Sequence, residues 1–145
     1  MSEHLEAQLH ACLASPRWIR AVADGLLDAG ANAMDDLTDE EWLDAMKAHP
    51  RIGERGGDAR ASSDREQAVA MRSSQETLDA LAADNRRYEE RFGHVFLIFA
   101  SGRSGEEILG ELRRRMNNDP KAELEEAKRE LRKIALLRLQ QIVSA

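Results

Sequence analysis

Apolar residues recur at helical spacing along most of the chain, and short polar motifs stand ahead of several runs. Ser15-Pro16 reads as an N-cap followed by a first helical residue, with Trp18, Ile19, Val22 and Leu26 behind it. Thr38-Asp39-Glu40-Glu41 fits a capping box before Trp42, Leu43 and Met46. Ser63-Asp64-Arg65-Glu66 and Ser104-Gly105-Glu106-Glu107 fit the same motif, the latter ahead of an apolar face of Ile108, Leu109, Leu112 and Met116. Asp119-Pro120 opens the last helix. The most regular stripe predicts a helix over residues 75–92, carrying Leu78, Leu81, Asn85, Tyr88 and Phe92 on one face. Asn85 is polar within that stripe, which predicts a buried amide bonded to a neighbouring loop.

Val95-Phe96-Leu97-Ile98-Phe99-Ala100 is an unbroken apolar run. Periodicity alone does not separate a buried strand from a buried helical turn. No second strand is available to pair with it, so the run reads as buried helix or extended connection. Four of the six aromatic residues (Tyr88, Phe92, Phe96 and Phe99) fall between residues 88 and 99, which places the centre of the core there. Residues 51–62 hold three of the nine glycines and no helical pattern, and form the one substantial loop. The fold class is all-α: a single domain over residues 1–145, a bundle of seven or so helices around one core.

Composition narrows the function. A chain of 145 residues, 42% apolar, is long enough for one real core. The 27 acids exceed the 21 bases, and the net charge of -6 argues against a general nucleic-acid binder. An anion can still bind where local cationic groups override that field. The single cysteine, Cys12, excludes an internal disulfide framework and a cysteine-rich zinc site, and it reads as a core residue. No run of 18 apolar residues occurs, so no membrane span is expected, and the opening residues lack a secretory pattern. The expectation is a cytoplasmic protein. There is no phosphate-binding glycine loop, nucleotide fingerprint or nucleophile elbow, and no histidine pair has a metal spacing.

Three residues are candidates for chemistry. His49 precedes Pro50, which biases it away from helical geometry and can aim its ring out of a helix end. Histidine exchanges protons near neutral pH, although a histidine here also fits a helix C-terminal cap. Glu66 follows the loop. As the fourth residue of a capping box it can fold back onto the backbone, or it can serve as a catalytic carboxylate. Arg138 falls on the face of the last helix marked by Leu124, Ala127, Leu131, Ile134 and Ile142. A guanidinium there pairs with a buried acid, or it is the cationic contact of a pocket for a planar anion.

These residues occur in a familiar order. The chain resembles 2-oxo-4-hydroxy-4-carboxy-5-ureidoimidazoline (OHCU) decarboxylases over nearly its whole length. Ala14-Ser15-Pro16-Arg17-Trp18 is similar to the family's S-x-W segment, and His49-Pro50-Arg51-Ile52-Gly53 to its H-P-x-[IL]-G. Ser63-Asp64-Arg65-Glu66-Gln67 matches S-x-x-E-Q. Asn85-Arg86-Arg87-Tyr88 with Arg91-Phe92-Gly93-His94-Val95-Phe96 matches N-x-x-Y-x-x-[KR]-F-G-x-x-F, and Lys133-Ile134 with Arg138-Leu139 matches the last helix. Ala68-Val69-Ala70-Met71 departs from the family's glycine-rich stretch, and the segment up to Asn85 is shorter.

The resemblance implies an all-α homodimer without a metal or other cofactor. Its reaction is loss of carbon dioxide from OHCU to give (S)-allantoin, late in urate breakdown. It implies His49 as proton donor with Glu66 as catalytic partner. It implies substrate contacts at Pro50, Ser63, Glu66, Gln67, Phe96, Leu97, Ile98, Phe99, Ala100 and Arg138. The rival readings are a non-enzymatic helical interaction domain and an enzyme of the same fold acting on another ureido acid.

Overall fold

The computed structural model describes residues 1–52 and 66–144. Among these it has six α-helices, one 3-10 helix and no strand. They are α1 (Glu3–Cys12), α2 (Pro16–Met34), α3 (Asp39–Met46), the 3-10 turn Ala70–Arg72, α4 (Gln75–Phe92), α5 (Gly105–Arg115) and α6 (Pro120–Ser144). The expected starts at Pro16, Asp39, Gly105 and Pro120, and the helix over 75–92, are all observed. The capping motif at Ser63 lies outside the described residues.

The chain divides into two compact units. One comprises Met1–Leu37 and Arg132–Ala145. Ser2 and Ser15 cap its first two helices, their hydroxyls accepting from Leu5 N–H at 3.1 Å and Trp18 N–H at 3.4 Å. Gly30 of α2 faces Leu139, where a Cβ would stand 2.6 Å from Leu139 Cδ2, so a larger residue here would require the end of the Leu139 side chain to move. Arg132 closes the end of α2, donating to Ala31 C=O at 3.1 Å and pairing with Asp35 at 2.9 Å. Ile19, Ala23, Ile134 and Val143 are buried here. Three expectations fail. Leu26 is 41% exposed and Ile142 57%, and Cys12 is exposed rather than in the core. The reason for Cys12 is plain: α1 is polar and buries no residue at all.

The other unit is Thr38–Leu131. Thr38 and Glu41 make the reciprocal capping box, with bonds of 3.2 and 3.1 Å, and Trp42 and Met46 are buried behind it. Ser74 starts α4, and Gly93 ends it in the left-handed conformation at φ 77°, which glycine adopts without a Cβ clash. The stripe on α4 faces the core of this unit. Leu81, Tyr88, Phe96, Ile98, Ala100, Ile108, Leu112 and Ala70 form one buried cluster, with Ile52, Leu78, Phe92, Leu109 and Met116 packed against it. The aromatic stretch does mark this core: Tyr88 and Phe96 rings meet edge to face at 5.3 Å. Asn85 is buried as expected, but its Nδ2 has no hydrogen-bond partner among the described residues.

Residues 95–100 are neither helix nor turn. Phe96, Ile98 and Ala100 face the core cluster, and the residues between them do not belong to it. This period of two is that of an extended strand, so the run is the extended connection rather than the buried helix.

Candidate active site

Three stretches that carry candidate residues meet at this one core. Past the end of α3 the chain turns, and His49 N–H bonds Met46 C=O at 3.1 Å. Ile52, three residues on, packs against the cluster. Arg51 pins the same turn to α4 through a paired contact with Glu89, at 2.5 Å from Nε and 3.1 Å from Nη2. Glu66 and Gln67 are 8% and 6% exposed. Met71 N–H bonds Gln67 C=O at 2.9 Å, and Ala70 between them enters the cluster. Phe96, Ile98 and Ala100 supply its third side.

His49 and Pro50 are half-buried. His49 lines a cavity of about 530 Å³ with Lys47, Arg51, Glu89 and His94. Both cations of this lining are paired, Arg51 with Glu89 and Lys47 with Asp44 at 3.2 Å, so the two histidines His49 and His94 are its remaining polar side chains. A second cavity of about 590 Å³ is mostly apolar, with Ile52, Met71, Leu78 and Asn85 among its walls, and the Arg51–Glu89 pair borders both.

Leu97 is buried and Phe99 half-buried. Ser63 lies outside the described residues. Arg138 belongs to the unit of Met1–Leu37 and Arg132–Ala145, where it is half-buried on α6. The face drawn for it needs correction. The buried positions of α6 are Glu123, Ala127, Leu131, Ile134 and Val143, not Leu124 or Ile142. An acid takes the place that an apolar pattern assigns to Leu124.

That acid belongs to a network that hydrophobic spacing does not reveal. Glu123 is 0% exposed and Arg115 1%. Arg115 Nε lies 3.0 and 3.1 Å from the two carboxylate oxygens, and Nη2 lies 2.5 Å from Oε2. Tyr88 O–H donates to the same carboxylate, and Asn118 Nδ2 donates to it at 3.1 Å. Burial, then the bond to Glu123, pushes the Tyr88 phenol far above its usual range, so it stays a donor. Burial opposes charge on Arg115, but the bonds and charge of Glu123 outweigh it and keep the guanidinium ionised. Arg115 also stacks over the Phe96 ring at 4.6 Å and donates to Leu97 C=O at 2.7 Å. The available signal was the Arg113-Arg114-Arg115 run, whose third member falls three after the buried Leu112.

Among the described residues, no group of three or more histidine, cysteine, aspartate or glutamate side chains could hold a metal ion. No described helix is long and apolar enough to cross a membrane.

Comparison with known proteins adds independent findings. A family model described as OHCU decarboxylase matches residues 2–140. The chain is 34% identical over 121 residues to a 2-oxo-4-hydroxy-4-carboxy-5-ureidoimidazoline decarboxylase of Haloferax volcanii, covering 80% of this chain and 70% of that protein. It is 37% identical over 110 residues to the uric acid degradation bifunctional protein TTL of Arabidopsis thaliana, covering 72% of this chain and 34% of that longer protein. A crystal structure of OHCU decarboxylase in the presence of (S)-allantoin superposes with a TM-score of 0.75 at 29% identity, covering 95% of this chain and 98% of that one.

Proposed function

The chain belongs to the OHCU decarboxylase family, and from that premise we propose that it converts OHCU to (S)-allantoin as a cofactor-independent carboxy-lyase of urate degradation. The observation that carries the reading is the convergence of three family motifs on one core. Ile52 follows His49-Pro50, Ala70 follows Glu66-Gln67, and both pack with Phe96, Ile98 and Ala100.

The chemistry suits these residues. The carbon–carbon bond to the carboxylate breaks, carbon dioxide leaves, and the electron pair passes into the conjugated ring. His49 then delivers its proton from one face to the neighbouring ring carbon, which bears the ureido group, while the hydroxyl-bearing carbon becomes a carbonyl as the hydroxyl proton passes to the ring nitrogen. The face of protonation sets the configuration of the product. A positioned acid of this kind contributes roughly 10²- to 10⁴-fold. Glu66 accepts from the substrate hydroxyl and orients the His49 ring. Pro50, Ser63 and Gln67 contact the substrate, Arg138 grips a ring or ureido oxygen, and the backbone of residues 96–100 meets the ureido edge. The protein acts as a cytoplasmic homodimer, a part of the proposal that rests on the family resemblance.

The test is turnover of freshly generated OHCU with chiral analysis of the product. Accelerated formation of (S)-allantoin supports the reading. Racemic product at the uncatalysed rate removes it and favours an interaction domain, and turnover of a different ureido acid alone redirects it to another substrate. A monomer mass by light scattering across the assay range removes the homodimer.

A further inference from the structure

We propose that Arg115, held by Glu123 and Tyr88, is a positioning residue that fixes one backbone edge of residues 96–100 so that the opposite edge can read the substrate. The proposal rests on the functional reading above, in which this segment binds the ureido group.

An isolated extended run has backbone groups to satisfy on both edges. Here one edge is occupied by side chains. Arg115 Nη1 donates to Leu97 C=O at 2.7 Å, and Glu130 Oε1 accepts from Phe99 N–H at 3.2 Å. In an extended chain, alternate residues present their amide groups to the same edge, so residues 97 and 99 are pinned together. The other edge belongs to residues 96, 98 and 100. Ala100 C=O is taken by Arg103 N–H at 2.9 Å in the following turn. Ile98 is 3% exposed, and among the described residues nothing bonds its N–H or C=O. A donor and an acceptor on one residue match a ligand that carries N–H beside C=O, which is what a ureido group or ring amide offers.

The support behind this edge is stiff. Arg115 makes five separate contacts: Nε with both oxygens of Glu123, Nη2 with Oε2, Nη1 with Leu97, and its plane over Phe96. Lysine at this position keeps the charge but cannot fork between Glu123 and Leu97 while stacking on the ring. The carbonyl of Leu97 is then free to rotate, and the Ile98 pair shifts with it.

The experiment compares wild type, Arg115→Lys and Tyr88→Phe. It measures KM and kcat for OHCU, the Kd for (S)-allantoin, and amide hydrogen exchange of residues 97–99, all well below each melting temperature. We expect Arg115→Lys to raise KM and Kd roughly 10- to 100-fold, as sub-ångström to ångström misplacement does. The fall in kcat is smaller, because His49 is untouched, and exchange at residues 97–99 accelerates. Tyr88→Phe keeps the ring and its packing, so it shifts the same quantities less, and it decides the matter if Arg115→Lys fails to fold. Variants that melt lower but keep wild-type KM, Kd and exchange rates overturn the proposal, since Arg115 is then structural only. A wild-type chain that neither turns over OHCU nor binds allantoin removes the functional reading instead. The exchange rates still decide whether Arg115 holds the edge.

Discussion

At Glu66 a change of one atom separates two roles. Glutamine serves in a capping box as well as glutamate does, so Glu66→Gln is nearly silent in a protein where Glu66 only caps. In the proposed reaction it cuts turnover sharply while the melting temperature barely moves. His49→Asn likewise keeps the fold and loses most turnover, by roughly 10²-fold or more; near wild-type rates in either variant end that assignment. Arg138→Lys keeps the charge and loses the planar fork. A lost hydrogen bond to a charged group is worth roughly 1.5–3 kcal/mol, so titration calorimetry should show allantoin bound about 10- to 150-fold more weakly; unchanged affinity makes Arg138 structural. His49, Glu66 and Arg138 were open to proposal as candidates from the sequence because each stands in a short motif beside a helix end or an apolar stripe. Arg115 and Glu123 were not. Their pairing depends on the turn from α5 into α6, which brings residues on either side of Asp119-Pro120 together. Read locally, one is the third arginine of a charged run and the other an acid in a first turn. Breaking such a pair costs roughly 3–5 kcal/mol, because the survivor stays buried and charged.

Helix starts are decided within four residues, which is why Ser15, Thr38, Ser74 and Ser104 mark real boundaries. What packs against those boundaries is decided elsewhere. Gly105, the first residue of α5, donates its N–H to Ser73 Oγ at 2.9 Å. A Cβ at this position would stand 2.2 Å from that oxygen and 2.8 Å from Ser73 Cβ. The turn that follows Glu66-Gln67 is thus seated directly on the start of α5, which follows residues 96–100. Gly105→Ala therefore forces the two elements apart. Overpacking of this kind costs typically about 1–3 kcal/mol, read as a lower melting temperature. Ser73→Gly in the same chain removes both clashing atoms and restores part of the loss. If Gly105→Ala melts like wild type, the seating is looser than described. Apolar spacing misjudged other positions for a related reason. Leu26 and Ile142 fit helical stripes, yet nothing in their own unit covers them, and a stripe records periodicity rather than the presence of a neighbour. The run over residues 95–100 was ambiguous until Ala70 and α5 showed which alternate side chains were covered.

For the whole molecule, an excess of acids makes the acid side of the stability curve informative. Glu126 joins two helices of one unit. It accepts from Arg114 of α5 at 2.7 and 3.3 Å and from Asn118 at 2.5 Å. The Arg114 hydrogen bonds hold the Glu126 carboxyl below the usual carboxylate range, outweighing the opposing effect of burial, and Asn118 adds to them. A depressed folded-state pKa means that the unfolded chain binds the proton first as pH falls. The contribution of Glu126 is therefore fully present above its unfolded value of about 4.3, and it fades as pH drops through the lower, folded-state value. Other carboxylates titrate in the same window, so the wild-type curve alone does not isolate it. Glu126→Gln does. At pH 7 the variant should melt below wild type, and that gap should narrow as pH falls below about 4.3, because both proteins then carry an uncharged group at this position. Arg114 is 53% exposed, so added salt should also narrow the gap at pH 7. Melting curves across pH, at low and high salt, make the comparison. A gap that stays constant from pH 7 to the acid limit shows that Glu126 contributes through shape rather than charge, and the electrostatic link between α5 and α6 at this position is then withdrawn.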